Sequence, residues 1–497
     1  MKRQSVKTGR PRSGSAVMEI ATDFRDKKFF IQHFGGDVYA VGGFVRDIIR
    51  GKPTEEVDIL ITRHSVEDII RKIEPYGKVD LVGKSFGVIK FTVNKKTYDI
   101  ALPRKDKPKG TGVKGHKDFV IFADPDLPLE KDLERRDFRC NSMALRLIDN
   151  TVIDPFKGEA DTKARIIRLT NPNAFPDDPL RVLRAARFAS VLEFSIASRI
   201  YEVSREIDLS GLSVERVNEE LFKILLDSAQ PSIGLEGFFK LGVLRQLFPE
   251  LYSLTLSIQD ALFHPEKDEY GHHTVWHHTK ITVDQAKRLA GIKRLPREKR
   301  LTLLLAALYH DVGKPSTARW EFKKGRMVIT NNGHDILSEK MTKKILNRFR
   351  IFSFNGFNLR KTVLSLIRCH HRASELWGNR EVVTKKAFNR LAADVNGEIE
   401  LLVYLDAADR GGREEAPLLK LDKEARWLLR KFKELNISKE TIQPLIMGRD
   451  LIKLGIDPGP EMGRILKELY QLQLDNEFET KKEGLRLARQ VIGRKKG

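Results

Sequence analysis

Strand-type patterning in this chain is confined to its first third. Short apolar runs of the β type fall before about residue 160, and from about residue 177 to the end the chain reads as amphipathic helices. The expected fold class is therefore α+β, with a mixed-sheet head, an all-helical neck, a further helical domain and a helical tail. A length of 497 residues agrees with about three or four domains.

Within the head, Val38–Val41 reads as one strand and Val57–Ile61 as another, with a helix over Phe44–Arg50 between them, closed by Gly51 and Pro53. Val88–Val93 and Thr97–Leu102 read as a hairpin across residues 94–96. Residues 1–16 hold five basic residues and no acid, which predicts a disordered basic tail.

Charge narrows the partners. Ninety Lys and Arg against sixty-eight Asp and Glu give +22, a surplus that attracts polyanions, nucleic acid first among them. Two distant cysteines, Cys140 and Cys369, exclude a disulfide scaffold and a cysteine-based zinc knuckle. The longest apolar run, Leu301 to Tyr309, is well short of the roughly 18–20 residues of a membrane span. A cytoplasmic, membrane-free protein is expected.

Chemistry first shows at Gly42-Gly43-Phe44-Val45-Arg46-Asp47, placed after a strand and opening a helix. Paired glycines let backbone approach a phosphate, and a helix N-terminus offers free N–H donors. A tight structural turn would read the same way. Glu56 and Asp58, two apart on a predicted strand, share one face, and Asp99 on a later strand adds a third carboxylate. Three convergent carboxylates suit Mg²⁺ ions in phosphoryl transfer. Asp178 and Arg181, three apart, would share a helix face. An acceptor beside a forked donor can match the Watson–Crick edge of cytosine or adenine, each of which offers an amine. Asp178 also reads as an N-cap followed by Pro179.

GGFVRD, the acid-x-acid strand, LERRDFRCNSMAL (residues 133–145) and DPLRVLRAARFA (residues 178–189) together resemble the class II CCA-adding tRNA nucleotidyltransferases and bacterial poly(A) polymerases, of the polymerase-β-like superfamily. The basic stretch at 104–119 resembles the loop of CCA-adding enzymes that carry an HD domain. The resemblance spans about residues 36–485. It implies that Gly42, Gly43 and Arg46 meet the triphosphate, that Glu56 and Asp58 hold two Mg²⁺ ions, and that Asp99 completes the triad. It further implies that Arg136 and Asp137 read the ribose 2′-hydroxyl with Asn141 in support, that Asp178 and Arg181 select the base, and that Arg184 and Arg187 hold phosphates. Two departures stand out: Glu56 where Asp is usual, and Cys140 where an aliphatic residue is usual.

A second constellation lies in the helical part. HHTVWHH (residues 272–278), His310-Asp311, His334, His370-His371 and Asp409 offer histidine and carboxylate ligands of the kind divalent transition metals take. In order they resemble the HD phosphohydrolases, which implies a metal site of His278, His310, Asp311, His334, His370 and Asp409. Physics alone does not separate His277 from His278, or His370 from His371.

The expected organisation is a basic tail (1–20), a nucleotidyltransferase head (21–160), a helical neck (161–260), an HD domain (261–415) and a tRNA-binding tail (416–497). The expected function is Mg²⁺-dependent addition of CMP and AMP from CTP and ATP to the 3′ end of tRNA, with HD phosphohydrolase activity as an addition. A poly(A) polymerase, or an enzyme adding only CC or only A, is the near alternative. An HD phosphohydrolase or RNA-binding protein with an inactive head is the distant one.

Overall fold

The protein is represented by a computed structural model that describes residues 24–52, 54–82, 88–108, 119–323, 325–413, 418–437 and 443–496. The expected basic tail, and most of the basic loop between 104 and 119, lie outside these residues. The chain divides into two compact units: Met1–Glu220 with Gly237–Leu247, and Leu221–Glu236 with Phe248–Gly497.

The first unit is built on a seven-stranded mixed sheet. Its strands are β1 (Val38–Val41), β2 (Asp58–Ile61), β3 (Lys78–Val82), β4 (Val88–Val93), β5 (Lys96–Ala101), β8 (Ala144–Arg146) and β9 (Val152–Ile153), in the order β3-β4-β5-β2-β1-β8-β9. Arg104–Pro108 (β6) and Phe119–Ala123 (β7) form a separate antiparallel pair. Only β2 and β5 run parallel within the large sheet. The β4–β5 hairpin forms because Asn94 and Lys95 both take positive φ, 50° and 65°, the geometry that matches strand twist in a two-residue turn.

Period-2 patterning then decides which residues serve the core and which the site. Ile89, Phe91 and Val93 of β4, with Tyr98 and Ile100 of β5, point into the core. Asp99, between two inward residues, is turned to the opposite face. Tyr98 stays satisfied in the core because its hydroxyl donates to Asp26 Oδ2 at 2.7 Å.

The mixed-sheet head, helical neck and helical HD domain stand as expected, with one correction to the site strand and short strands added to the helical parts. Strand β2 begins at Asp58, so Glu56 precedes the strand as an exposed residue and does not project from it. The segment that follows the head is not all-helical: Ile166–Ile167 (β10) and Ser195–Ile196 (β11) pair in parallel. The helical domain likewise carries a hairpin, Arg319–Lys323 (β12) with Arg326–Thr330 (β13). Two-residue strands and an inserted hairpin leave too few alternating positions to read in a helical background.

The second unit is helical around Arg297–Tyr309, whose Leu301–Tyr309 stretch is wholly buried. Helices Val275–Ile292, Leu359–Cys369 and Ile399–Gly411 pack around it, and His334–Arg348 packs on Leu359–Cys369. Among the described residues, no helix is long and apolar enough to cross a membrane.

Candidate active sites

In the first unit, Asp58 and Asp99 are direct partners in the parallel β2–β5 register. They open onto a cavity of about 900 Å³. Burial raises the Asp58 pKa, and the neighbouring carboxylates of Asp99 and Glu56 raise it further against the pull of Arg136. Carboxylates that repel one another at the edge of a cleft fit a hard divalent cation, which would relieve that repulsion. Asp58 and Asp99 would hold Mg²⁺ here. Glu56 does not line the cavity; it acts on Asp58 through its charge.

Gly42 and Gly43 also line the cavity, leading from Val41, the β1 partner of Asp58, into the helix Gly43–Ile49. Gly42 has φ +70°, and a Cβ there would sit 3.1 Å from Arg136 Nη1, so a side chain would strain the backbone and crowd that guanidinium. Arg46, one turn into the helix, lines the cavity but is already engaged. Its Nη1 donates to Asn141 Oδ1 at 2.6 Å and its other nitrogens donate to Asp47. Arg136 donates to the buried Asp132, which also takes Arg135.

Asn141 continues this network by donating to Asp137 Oδ1 at 3.1 Å. Asp137 accepts Arg184 Nε on Oδ2 at 2.7 Å and the Phe138 N–H on Oδ1. Burial alone would raise the Asp137 pKa, but Arg184 and Asn141 hold it below its ordinary value. Arg46, Asn141, Asp137 and Arg184 thus form one continuous chain of hydrogen bonds along the cavity wall.

The base-selecting pair is arranged differently from the expectation. Asp178 lies before the helix Leu180–Leu192, in extended conformation, so it shares no helix face with Arg181. Its Oδ1 accepts the Leu180 N–H at 3.2 Å, and Arg216 Nη2 approaches its two oxygens at 3.1 and 2.9 Å. Arg181 is anchored on the carbonyls of Ala174 and Arg135. Both side chains still line the same cavity. Arg187 does not. Its Nε donates to the buried Glu220 at 2.5 Å and its guanidinium lies 3.9 Å over the Phe188 ring, which separates it from Arg184 in role. Cys140 is fully buried, and burial pushes its thiol up to about 12, as expected of a packing residue.

Sequence reasoning missed Arg216 and Asp132. Arg216 lies 38 residues from its partner, and no local spacing announces the pair.

In the second unit, five helices deliver the histidine cluster. His278 comes from the first turn of Val275–Ile292, His310 and Asp311 from the end of Arg297–Tyr309, and His334 from the start of His334–Arg348. His370 and His371 follow Leu359–Cys369, and Asp409 lies in the last turn of Ile399–Gly411. His278 Nε2 lies 2.8 Å from Asp409 Oδ1, and His310 Nε2 lies 3.2 Å from Asp311 Oδ2. His334 Nε2 is 3.3 Å from Asp311 Oδ1 and 3.0 Å from His371 Nε2.

The backbone fixes the tautomers. Nδ1–H of His310, His334 and His370 donates to the carbonyls of Ala307, Asn331 and Ile367 at 2.8, 2.7 and 2.6 Å. A carbonyl only accepts, so each Nε2 is left to face the cluster. His370 Nε2 is buried without a hydrogen-bond partner, and the buried Asp311 carboxylate is approached by His310, His334 and Lys314. Ligand atoms converging in a buried site, one of them unpaired, are what a bound metal would satisfy.

The electrostatics are divided. Burial would depress the His310 pKa, but Asp311 and Asp409 raise it to about 10. Burial and the neighbouring His371 ring hold His370 well below its ordinary value. The structure also separates the adjacent histidines: His278, not His277, enters the cluster, whereas His370 and His371 both do. His264, Glu266 and Lys314 were not anticipated. Glu266 Oε1 lies 3.0 Å from His264 Nδ1 and 2.8 Å from His278 Nδ1, and Lys314 Nζ lies 2.8 Å from Asp311 Oδ2. His264 and Glu266 sit in irregular chain with no periodic signal; Lys314, three residues after Asp311, had one.

Comparison with known proteins finds relatives of both units. Residues 38–168 match the Poly A polymerase head domain, 194–254 the "Probable RNA and SrmB- binding site of polymerase A", and 275–410 the HD domain. The Multifunctional CCA protein of Methylococcus capsulatus is 33% identical over 447 residues, covering 87% of this chain and 92% of that protein. Its counterpart in Hahella chejuensis is 31% identical over 395 residues, covering 77% and 85%. Among solved structures, the Bacillus stearothermophilus CCA-adding enzyme in complex with CTP superposes with a TM-score of 0.60 at 22% identity, over 97% of this chain and 98% of that one.

Proposed function

Because this chain belongs to the multifunctional CCA protein family, with a poly(A) polymerase-type head and an HD domain, we propose that it adds CMP and AMP to the 3′ end of tRNA. The tRNA 3′-hydroxyl gives its proton to solvent and attacks the α-phosphorus of CTP or ATP; a new P–O bond forms, the bond from the α-phosphorus to the bridging oxygen breaks, and pyrophosphate leaves with that oxygen. Mg²⁺, when bound, supplies Lewis-acid activation of the hydroxyl and charge neutralisation on the triphosphate. Asp58 and Asp99 hold that charge, and the Gly42–Gly43 pair admits the phosphates to a helix N-terminus. Asn141 ties Arg46 to Asp137, so the groups facing the sugar and the phosphates move as one body. Asp178 accepts the amine of cytosine or adenine while Arg181, held by two carbonyls, donates beside it.

The observation that carries this reading is the Asp58–Asp99 register opening on the cavity that Asp178 and Arg181 also line. The test is incubation of the protein with tRNA lacking its 3′ end and each labelled NTP separately. Incorporation of CMP and then AMP supports it; long A-tails would make the enzyme a poly(A) polymerase. Such substrates place its work in the cytoplasm.

A second activity is favoured by the convergence of His278, His310 and Asp311 and of His334, His370 and His371, with His370 Nε2 unpaired. The HD unit hydrolyses phosphate esters, and 2′,3′-cyclic phosphates on damaged RNA ends suit it. A divalent transition metal, when bound, polarises the phosphate and acidifies water. His278, His310, Asp311 and Asp409 would hold one such ion; His334, His370 and His371, beside the second oxygen of Asp311, form an adjoining ligand group.

A further inference from the structure

The β12–β13 hairpin leads directly into the HD site: Thr330 ends β13 and His334 begins the next helix. Its register sets Trp320 opposite Ile329 and Phe322 opposite Met327, so these four share one face. On the other face Val328 is fully buried and seats the hairpin on the domain. The outer face is left open, with Trp320 66%, Phe322 72% and Met327 51% exposed. Three exposed apolar side chains on one short hairpin far exceed what an ordinary surface presents singly.

Two observations select the occupant. Residues 319–330 carry four basic residues, Arg319, Lys323, Lys324 and Arg326, against the single acid Glu321. Arg319, Lys323 and Arg326 fall on the Val328 side of the register, with Lys323 against Glu321 at 2.7 Å and Arg326 against Asp260, so the cations border the aromatic face from the other side of the hairpin. Exposed rings on a cationic hairpin suit an anion that also has flat faces, which describes single-stranded nucleic acid. The face is also continuous with the HD cavity of about 1010 Å³, because Ile329, the partner of Trp320, lines it together with His334 and Asp409.

We propose that this hairpin face is a stacking platform for single-stranded RNA, seating the last bases of a strand on Trp320 and Phe322 while its terminal phosphate lies in the HD cavity. The inference rests on the phosphohydrolase reading for the fate of the phosphate, but the platform itself is a binding claim. It makes the HD unit selective for phosphate at the end of an oligonucleotide over phosphate on a lone nucleotide. Base stacking is sequence-tolerant, so the selectivity is for strand and not for base.

The test uses the full chain and a short RNA of about eight nucleotides, bearing 4-thiouridine near a 3′-phosphate end. Photo-crosslinking should map to residues 319–330, and Trp320→Ala with Phe322→Ala should lower affinity for this RNA about tenfold or more. Trp320→Phe should restore most of the affinity lost on Trp320→Ala, because a smaller ring still stacks. Hydrolysis of a mononucleotide 2′,3′-cyclic phosphate should be unchanged in the double variant, as should nucleotide addition to tRNA. Crosslinks elsewhere together with unchanged RNA affinity would overturn the platform. So would a wild-type dimer that the double substitution dissociates while RNA affinity stays the same, since the face would then bind a second copy. If wild type cleaves no phosphate ester yet the crosslink and affinity loss are found, the platform stands and the hydrolase reading falls.

Discussion

Arg216 Nη2 lies 2.9 and 3.1 Å from the two carboxylate oxygens of Asp178, and this contact, not a helix turn shared with Arg181, orients the acid. The carboxylate divides its lone pairs among Arg216, the Leu180 N–H and the cavity. If Asp178 selects the base as proposed, Arg216, which lines the same cavity, sets how the carboxylate is presented to it.

Asp178→Ala is expected to lose discrimination of CTP and ATP over UTP and GTP by roughly 1–3 kcal/mol, the scale of an unpaired buried polar group. Arg216→Ala should produce a smaller loss of the same kind, since the carboxylate remains but is free to turn. Single-nucleotide addition with all four NTPs measures both. Unchanged preference with lowered thermal stability would make Asp178 a structural residue only.

Asp58→Ala should abolish nucleotide addition and leave tRNA binding nearly intact. The side chain is a carboxylate at the mouth of the cavity and no part of the sheet's apolar core. Addition at wild-type rate by the folded variant would remove Asp58 from the metal site.

Gly42→Ala tests the glycine pair. At φ +70° and ψ −125°, with Arg136 Nη1 3.1 Å from the new Cβ, alanine should cost about 1–3 kcal/mol and raise KM for both nucleotides. Denaturant midpoints and steady-state kinetics report the two effects separately.

His310→Ala should remove bound transition metal and hydrolysis of cyclic phosphates while nucleotide addition continues, because the cluster lies in the second unit. Metal content of the purified variant, measured against wild type, is the direct readout. Full metal occupancy in the variant would exclude His310 as a ligand.

Asp137 gives the acid limb of stability. Its folded pKa lies below the ordinary 3.8, so the folded state binds fewer protons than the unfolded one at low pH. Its contribution is full above about pH 4 and is lost as pH falls through the folded value. The stability difference between wild type and Asp137→Asn should therefore be constant near neutrality and shrink below about pH 4. Urea midpoints across that range check it; a difference that grows on acidification would contradict the Arg184 pairing.

Residues whose place follows from local geometry were legible. Gly42 and Gly43 between strand and helix, Asp99 between two inward β5 residues, and His310-Asp311 at a helix end all stood where their patterns placed them. Residues whose role depends on a remote partner were misread. Arg187 shares a helix face with Arg184, yet Glu220 takes it out of the cavity. Glu56 was read as part of a strand because the apolar run begins at Val57, but pairing with β1 starts only at Asp58. His264 and Glu266 left no trace, because irregular chain has no period to read.

The sequence by itself determined which residue types were present for two chemistries, and their order along the chain. Period 2 placed Asp99 opposite the core side of β5. Tertiary structure alone decided the pairings: Asp58 with Asp99, Asp178 with Arg216, Asn141 between Arg46 and Asp137. The physical reason is range. Backbone geometry fixes neighbours within a turn or a strand, whereas a buried charge is settled by whichever partner packing brings within hydrogen-bond distance.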